Sequence, residues 1–305
     1  MFFADTIKGE VIYINGKGTQ TGRCVMQVQG IGAGGLLQGQ DQTAKTLNKT
    51  NRDLNKILEK LSTALRINSA SDDAAGSAIS DQLETQSRGF KAAEQNVTDA
   101  ASALNIADAA GGQVSGLIQQ QRSLALQARN DTLTNQQRQG LDNQYQSLTQ
   151  EIDRISGSAQ FNTQNVANGQ GLASGAAQIQ AGANSGDQMG LPATNMGAAA
   201  LGIAGTSIAT GAGATAALSS LDNALKNLNS QQSTIGSMVN RFGSVQNNLS
   251  MADINTQAAQ SVIQDQDMAS GMADLTAQKL LLETGTQAFA RYNEISANHL
   301  FGLLQ

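Results

Sequence analysis

The chain has 305 residues, a formal net charge of -5, 3% aromatic residues, one proline, one cysteine and no tryptophan. An acidic chain in which no basic cluster stands out lacks the concentrated Lys and Arg of a nucleic-acid surface. A core this poor in large rings suits a narrow bundle filled by Leu, Ile, Val and Ala better than a compact enzyme. Lone Cys24 excludes an internal disulfide. No apolar run reaches the roughly 18 to 20 residues of a membrane helix, and the N-terminus shows no basic-then-apolar pattern, so neither membrane insertion nor a cleaved secretory signal is expected.

Residues 1–30 read as an atypical extension. Val11 and Tyr13, then Val25, Gln27 and Val28, form two strand-like runs around Asn15-Gly16-Lys17-Gly18, which predicts a β-hairpin. Gly30 to Gly35 then spells G-x-G-x-x-G, with Asp53 near the distance of a ribose ligand. A dinucleotide site needs further parallel strands alternating with helices, and none follows. A flexible glycine joint is the preferred reading.

A helix is predicted over 40–66, with Leu47, Leu54 and Leu61 spaced by seven beside Ile57, Leu58 and Leu65. Ser71-Asp72-Asp73 offers an N-cap and acidic groups for the next helix, a better use of two carboxylates than a metal site without further ligands. That helix runs to Ala128 through Val97, Leu104, Ile118 and Ala125. After a break at Asn130-Asp131-Thr132 another follows, with Leu141, Tyr145, Leu148, Ile152 and Ile155 on one face. Residues 169–217 break the composition: Asp187 is their only charge, glycine recurs, and Ile179, Leu191, Met196, Leu201 and Ile203 are scattered anchors. They predict a small hairpin or turn-rich cap exposed at the bundle's end.

Beyond the cap, Leu221, Leu228, Ile235, Phe242 and Leu249 fall every seven residues, and Leu218, Leu225, Met238, Val239 and Val245 form a second, offset stripe. A further helix is predicted from about Ile254 to Leu304. Its apolar content exceeds what the 40–66 helix can cover, and each Leu left in water forgoes roughly 1.5–3 kcal/mol of burial. The ends of the chain therefore read as surfaces buried by identical copies. Catalysis has little support: His299 is the only histidine, and no Ser or Cys has a base partner in sequence. No cofactor or metal site is expected.

Three stretches resemble the signatures of bacterial flagellins: Leu65-Arg66-Ile67-Asn68-Ser69-Ala70-Ser71-Asp72-Asp73-Ala74-Ala75-Gly76; Glu151 to Gly157 with Gln160-Phe161-Asn162; and Ile263-Gln264-Asp265-Gln266-Asp267. Ile179 to Asp187 is similar to that family's hairpin strand, and Asn240-Arg241-Phe242 and Phe301-Gly302-Leu303-Leu304 agree with its C-terminal part. The resemblance covers about residues 40–305. It implies a mainly α fold, a long helical hairpin or coiled-coil bundle with a small β-hairpin cap. It implies an inner domain at 31–64 and 270–305, spokes at 65–75 and 262–269, and an outer bundle at 76–168 and 217–261 around the glycine-rich cap at 169–216. The variable outer domains that many flagellins insert are missing.

The resemblance further implies a self-assembling subunit of the extracellular flagellar filament. Leu47, Leu54, Leu58, Leu61, Leu280, Phe289, Leu300, Leu303 and Leu304 would make the inner contacts, and Leu221, Leu228, Ile235, Phe242 and Leu249 the bundle core. Implied partners are further copies, the flagellar cap and hook-junction proteins, an export chaperone and the type III export apparatus. The immune-receptor motif of flagellins resembles Gln-Arg-x-Arg-Glu-Leu. Here Gln119 to Leu124 keeps Arg122 and Leu124 but lacks one Arg and the Glu, so weakened recognition is expected. The alternatives are a hook-filament junction protein, which shares the terminal helices, and a cytoplasmic signalling bundle.

Overall fold

The computed structural model describes residues 6–7, 10–11 and 33–302. Five helices dominate: α1 Ala33–Thr63, α2 Ala74–Ala128, α3 Asn135–Ser158, α4 Gly211–Gln264 and α5 Met268–Gly302. Three two-stranded antiparallel pairs complete it: β1 Thr6–Ile7 with β2 Glu10–Val11, β3 Gln160–Phe161 with β4 Gln164–Asn165, and β5 Gln178–Gln180 with β6 Gln188–Gly190. The chain divides into two compact units, residues 1–61 with 268–305, and residues 62–267. The mainly α expectation holds.

In the larger unit α2 and α4 form a long antiparallel pair. Ser80 meets Gln264, Thr98 meets Gln246 and Arg122 meets Asp222. Eighteen residues along α2 are thus matched by eighteen along α4, and the next twenty-four by twenty-four, so one register holds throughout. Leu221, Leu228, Ile235, Phe242 and Leu249 are all buried on α4, and Ala93, Ala100, Ala103, Ala107 and Ala110 on α2. Large side chains on one helix fill the space that small ones leave on the other, which a two-helix interface requires for close packing. The offset stripe, Leu225, Met238, Val239 and Val245, is partly buried against the same core.

Helix ends follow local chemistry. Asp73 caps α2 by accepting from the Gly76 N–H at 2.9 Å. Thr134 and Gln137 form a reciprocal capping box on α3, and Thr210 caps α4. The α2–α3 turn is closed by Arg138, whose guanidinium donates to the carbonyls of Ala128 and Asn130, the latter also accepting from the Leu133 N–H. Such end groups satisfy backbone that the helix itself leaves unpaired. Just past α1, Ala64 adopts φ 58°, a left-handed turn that glycine takes freely and that costs an L-residue about 1–2 kcal/mol.

Two expectations need correction. The first helix occupies 33–63 rather than 40–66, so Gly34 and Gly35 are helical rather than a joint. The hairpin expected around Asn15–Gly18 lies outside the described residues, as do Gly30–Gly32; the strand pair that is described joins Thr6–Ile7 to Glu10–Val11. The final helix does not begin at Ile254, because α4 continues unbroken to Gln264.

The glycine-rich segment also differs from the exposed cap expected. Leu191, Met196, Leu201, Ile203 and Ile208 are buried. The β5–β6 hairpin lies on α2: Asn96 donates to the Gln180 carbonyl, and a Cβ at Gly89 would stand 2.8 Å from that of Ala183. Farther on, Asp153 accepts from the Ala198 N–H, Asp142 from the Ile208 N–H, and Tyr145 Oη bonds Thr206 Oγ1. Residues 178–208 therefore strap the bundle along its side.

Candidate functional site

The smaller unit pairs α1 and α5 antiparallel. A Cβ added at Gly39 would collide with the Tyr292 ring, and one at Gly285 would come within 3.2 Å of Leu47 Cδ1, so both glycines allow close approach of the partner helix. On α1 the shielded positions include Thr43, Leu47, Thr50, Leu54, Ile57 and Leu61; on α5 they include Gly271, Leu275, Gln278, Leu282, Gly285, Phe289 and Tyr292. Both sets step by alternating threes and fours, the spacing of a coiled-coil seam.

This seam is thin. Two glycines and a glutamine stand on the α5 side and two threonines on the α1 side, and most seam positions remain half-buried. Meanwhile α5 leaves Met268, Met272, Leu280, Leu281 and Ile295 about half or more exposed. So many large apolar side chains left exposed on one helix mark an unfilled contact. Sequence reading placed Leu47, Leu54, Leu61 and Phe289 at assembly contacts, and the structure puts them in this intramolecular seam. Leu58 and Leu280 lie off it, 43% and 62% exposed. Leu300 lies in α5 without a described side chain, and Leu303 and Leu304 lie outside the described residues. Sequence reading missed Gly39 and Gly285, whose signal was their place opposite Tyr292 and Leu47.

In the larger unit the bundle-core residues are all buried. Arg122 donates to Asp222 across α2 and α4 at 2.9 Å, with both side chains about half exposed, and Leu124 is partly buried against the core. Toward the other end, burial of Asp253 opposes its ionisation, but hydrogen bonds from Ser87 and Gln257 and the Lys91 ammonium outweigh it and hold the carboxyl below its usual range. Burial likewise raises the Tyr145 phenol above its ordinary value. The Asp253 group fastens α2 to α4, and the Tyr145 phenol fastens α3 to the strap. Among the described residues no group of three or more His, Cys, Asp or Glu could hold a metal ion, and no helix is long and apolar enough to cross a membrane.

Two family models match, the bacterial flagellin N-terminal helical region over residues 37–171 and the bacterial flagellin C-terminal helical region over 218–301. A flagellin of Halalkalibacterium halodurans is 36% identical over 241 residues, covering 78% of this chain and 88% of that one. The flagellar filament 31.3 kDa core protein of Treponema maltophilum is 32% identical over 274 residues, 86% of this chain and 96% of its own. Flagellin FlaB1 of Treponema pallidum matches over the same shares at 32% identity. With the sequence matching over most of each relative, and both helical regions falling on the paired helices described above, the chain belongs to the bacterial flagellin family, structural subunits of the flagellar filament rather than enzymes.

Proposed function

We propose that the α1–α5 unit is the inner assembly element of an extracellular filament, and that the 62–267 unit forms the shaft's outer layer. The observation that carries this reading is the apolar surplus of α5, whose Leu280, Leu281, Met272 and Ile295 find no cover in the seam with α1. Burying each such side chain fully gains roughly 1.5–3 kcal/mol, and another copy is the partner a polymer supplies at every site. The flagellar cap and hook-junction proteins, the export chaperone and the type III export apparatus are the further partners that membership in this family supports. Seeding purified chain with sheared filament fragments and imaging by electron microscopy tests the reading. Long filaments are expected; growth that stops at a ring, or no growth, would overturn it.

Recognition by the innate immune receptor is a finer proposal at Arg122 and Leu124. Arg122 is engaged by Asp222 and Leu124 is half-covered, while the neighbouring positions offer Gln120 and Ser123 where the receptor motif has charge. A receptor-reporter assay on purified monomer is expected to give a signal well below that of a flagellin with the full motif. An equal response would refute this.

A further inference from the structure

The outward face of α1 carries a row of cations. Lys45, Lys49, Arg52 and Lys56 are exposed at steps of four, three and four, one stripe about 16 Å long on the side away from the α5 seam. Because they are never contiguous, the row does not stand out in sequence. No ion pair among the described residues engages any of the four. Asp41 and Glu59 bracket the row and Asp53 lies on the seam flank, so the face between them is net positive.

The larger unit carries the opposite charge where its chain enters and leaves. There the Arg66 N–H donates to the Gln264 carbonyl and the Gln266 N–H to that of Ala64, which brings residues 64–66 beside 264–266. Residues 62–75 and 261–267 contain Asp72, Asp73, Asp265 and Asp267 against the single cation Arg66. The Arg66 guanidinium is itself turned to the Ile263 carbonyl.

A filament grows by one contact repeated with a rise, so the surface that gives and the surface that receives must differ. Two copies meeting through the same cationic row would repel, whereas a basic row and an acidic end on different parts of one chain suit such a head-to-tail contact. We propose that the row Lys45, Lys49, Arg52 and Lys56 of one copy docks on the acidic end, Asp72, Asp73, Asp265 and Asp267, of a neighbouring copy. This rests on the filament reading and adds a second kind of contact to it. The apolar face of α5 gives adhesion, and the charged pair sets the stagger and direction in which copies join.

The test is seeded growth of the full chain, read as the critical concentration at low and high salt. Exposed ion pairs are individually weak, but reversing two of them removes two attractions and creates two repulsions, about tenfold or more in affinity. Lys49→Glu with Arg52→Glu is expected to raise the critical concentration about tenfold at low ionic strength, with the deficit shrinking as the Debye length falls from about 30 Å to about 3 Å at 1 M salt. Melting of the monomer should not change. Adding Asp265→Lys and Asp267→Lys to the same chain should restore growth, since every copy then offers both reversed surfaces. An unchanged critical concentration, a deficit that ignores salt, or a failure of the compensating pair to rescue would each overturn the docking. If the unaltered chain failed to extend seeds at any salt, the filament reading would fall with it.

Discussion

Replacing Phe242 by alanine is expected to destabilise the larger unit by about 3–5 kcal/mol, the cost of emptying a site that cannot collapse. Phe242 is fully buried on α4. By the register that sets Thr98 beside Gln246, it stands opposite the stretch of α2 holding Ala100 and Ala103. Those alanines carry only a methyl group, with no rotatable side chain to swing into the void, and moving the backbone inward would disturb a register pinned from Ser80 to Arg122. Urea unfolding of the monomer should show a lower midpoint with little change in slope, because the surface exposed on unfolding is nearly the same. The contrasting substitution is Ile254→Ala, on the same helix but 57% exposed, which should leave the monomer's midpoint within a few tenths of a kcal/mol. Equal losses at the two positions would mean that the five-residue heptad row is not the core of the unit.

That row was legible in sequence because a strict seven-residue spacing has few other uses in a soluble helix, and all five of its members are buried. The break between α4 and α5 was not visible in the periodicity, and only the resemblance set a spoke, 262–269, around it. Gln264-Asp265-Gln266-Asp267 contains neither glycine nor proline, and nothing local forbids a continuous helix. What stops it is distant: the Gln264 carbonyl accepts from the Arg66 N–H, and the Gln266 N–H donates to the Ala64 carbonyl. The helix ends where another part of the chain supplies equivalent backbone partners, and a single sequence does not display that choice.

The small hairpin of the glycine-rich segment was legible, but the burial of that segment was not, for a related reason. Its anchors, Leu191, Met196, Leu201 and Ile203, follow no helical or strand period, so they read as isolated. They are buried because polar side chains on the neighbouring helices hold the backbone in place, as Gln231 does at Asn195 and Asp153 at Ala198. Irregular backbone can lie against a bundle when each exposed N–H and carbonyl finds such a partner. Toward the chain ends, the sequence reading found the excess apolar content of α5 but did not tell seam positions from exposed ones. Leu58 sits one residue beyond seam position Ile57, and Leu280 two before Leu282, so a tally of leucines could not separate positions in the α1–α5 seam from exposed ones.

Leu280→Glu combined with Leu281→Glu exploits that separation and is expected to abolish seeded filament growth while leaving the monomer folded. The two leucines are 62% and 58% exposed in the isolated subunit, so carboxylates there remain hydrated and the α1–α5 seam through Leu275, Leu282 and Phe289 is untouched. In an assembled filament the same positions would be enclosed. The variant then loses the apolar gain of two side chains, roughly 1.5–3 kcal/mol for each when fully buried, and incurs the larger cost of enclosing two unpaired charges. Since about 1.4 kcal/mol is tenfold in an equilibrium constant, the critical concentration should rise beyond a hundredfold, outside any practical range. Salt should not rescue this variant, because dehydration of a carboxylate is not relieved by screening, whereas it should rescue the charge-reversed α1 face. Growth of the Leu280→Glu, Leu281→Glu chain at an ordinary critical concentration would show that the exposed face of α5 stays wet in the polymer, and the contact between copies would then have to lie elsewhere on the subunit.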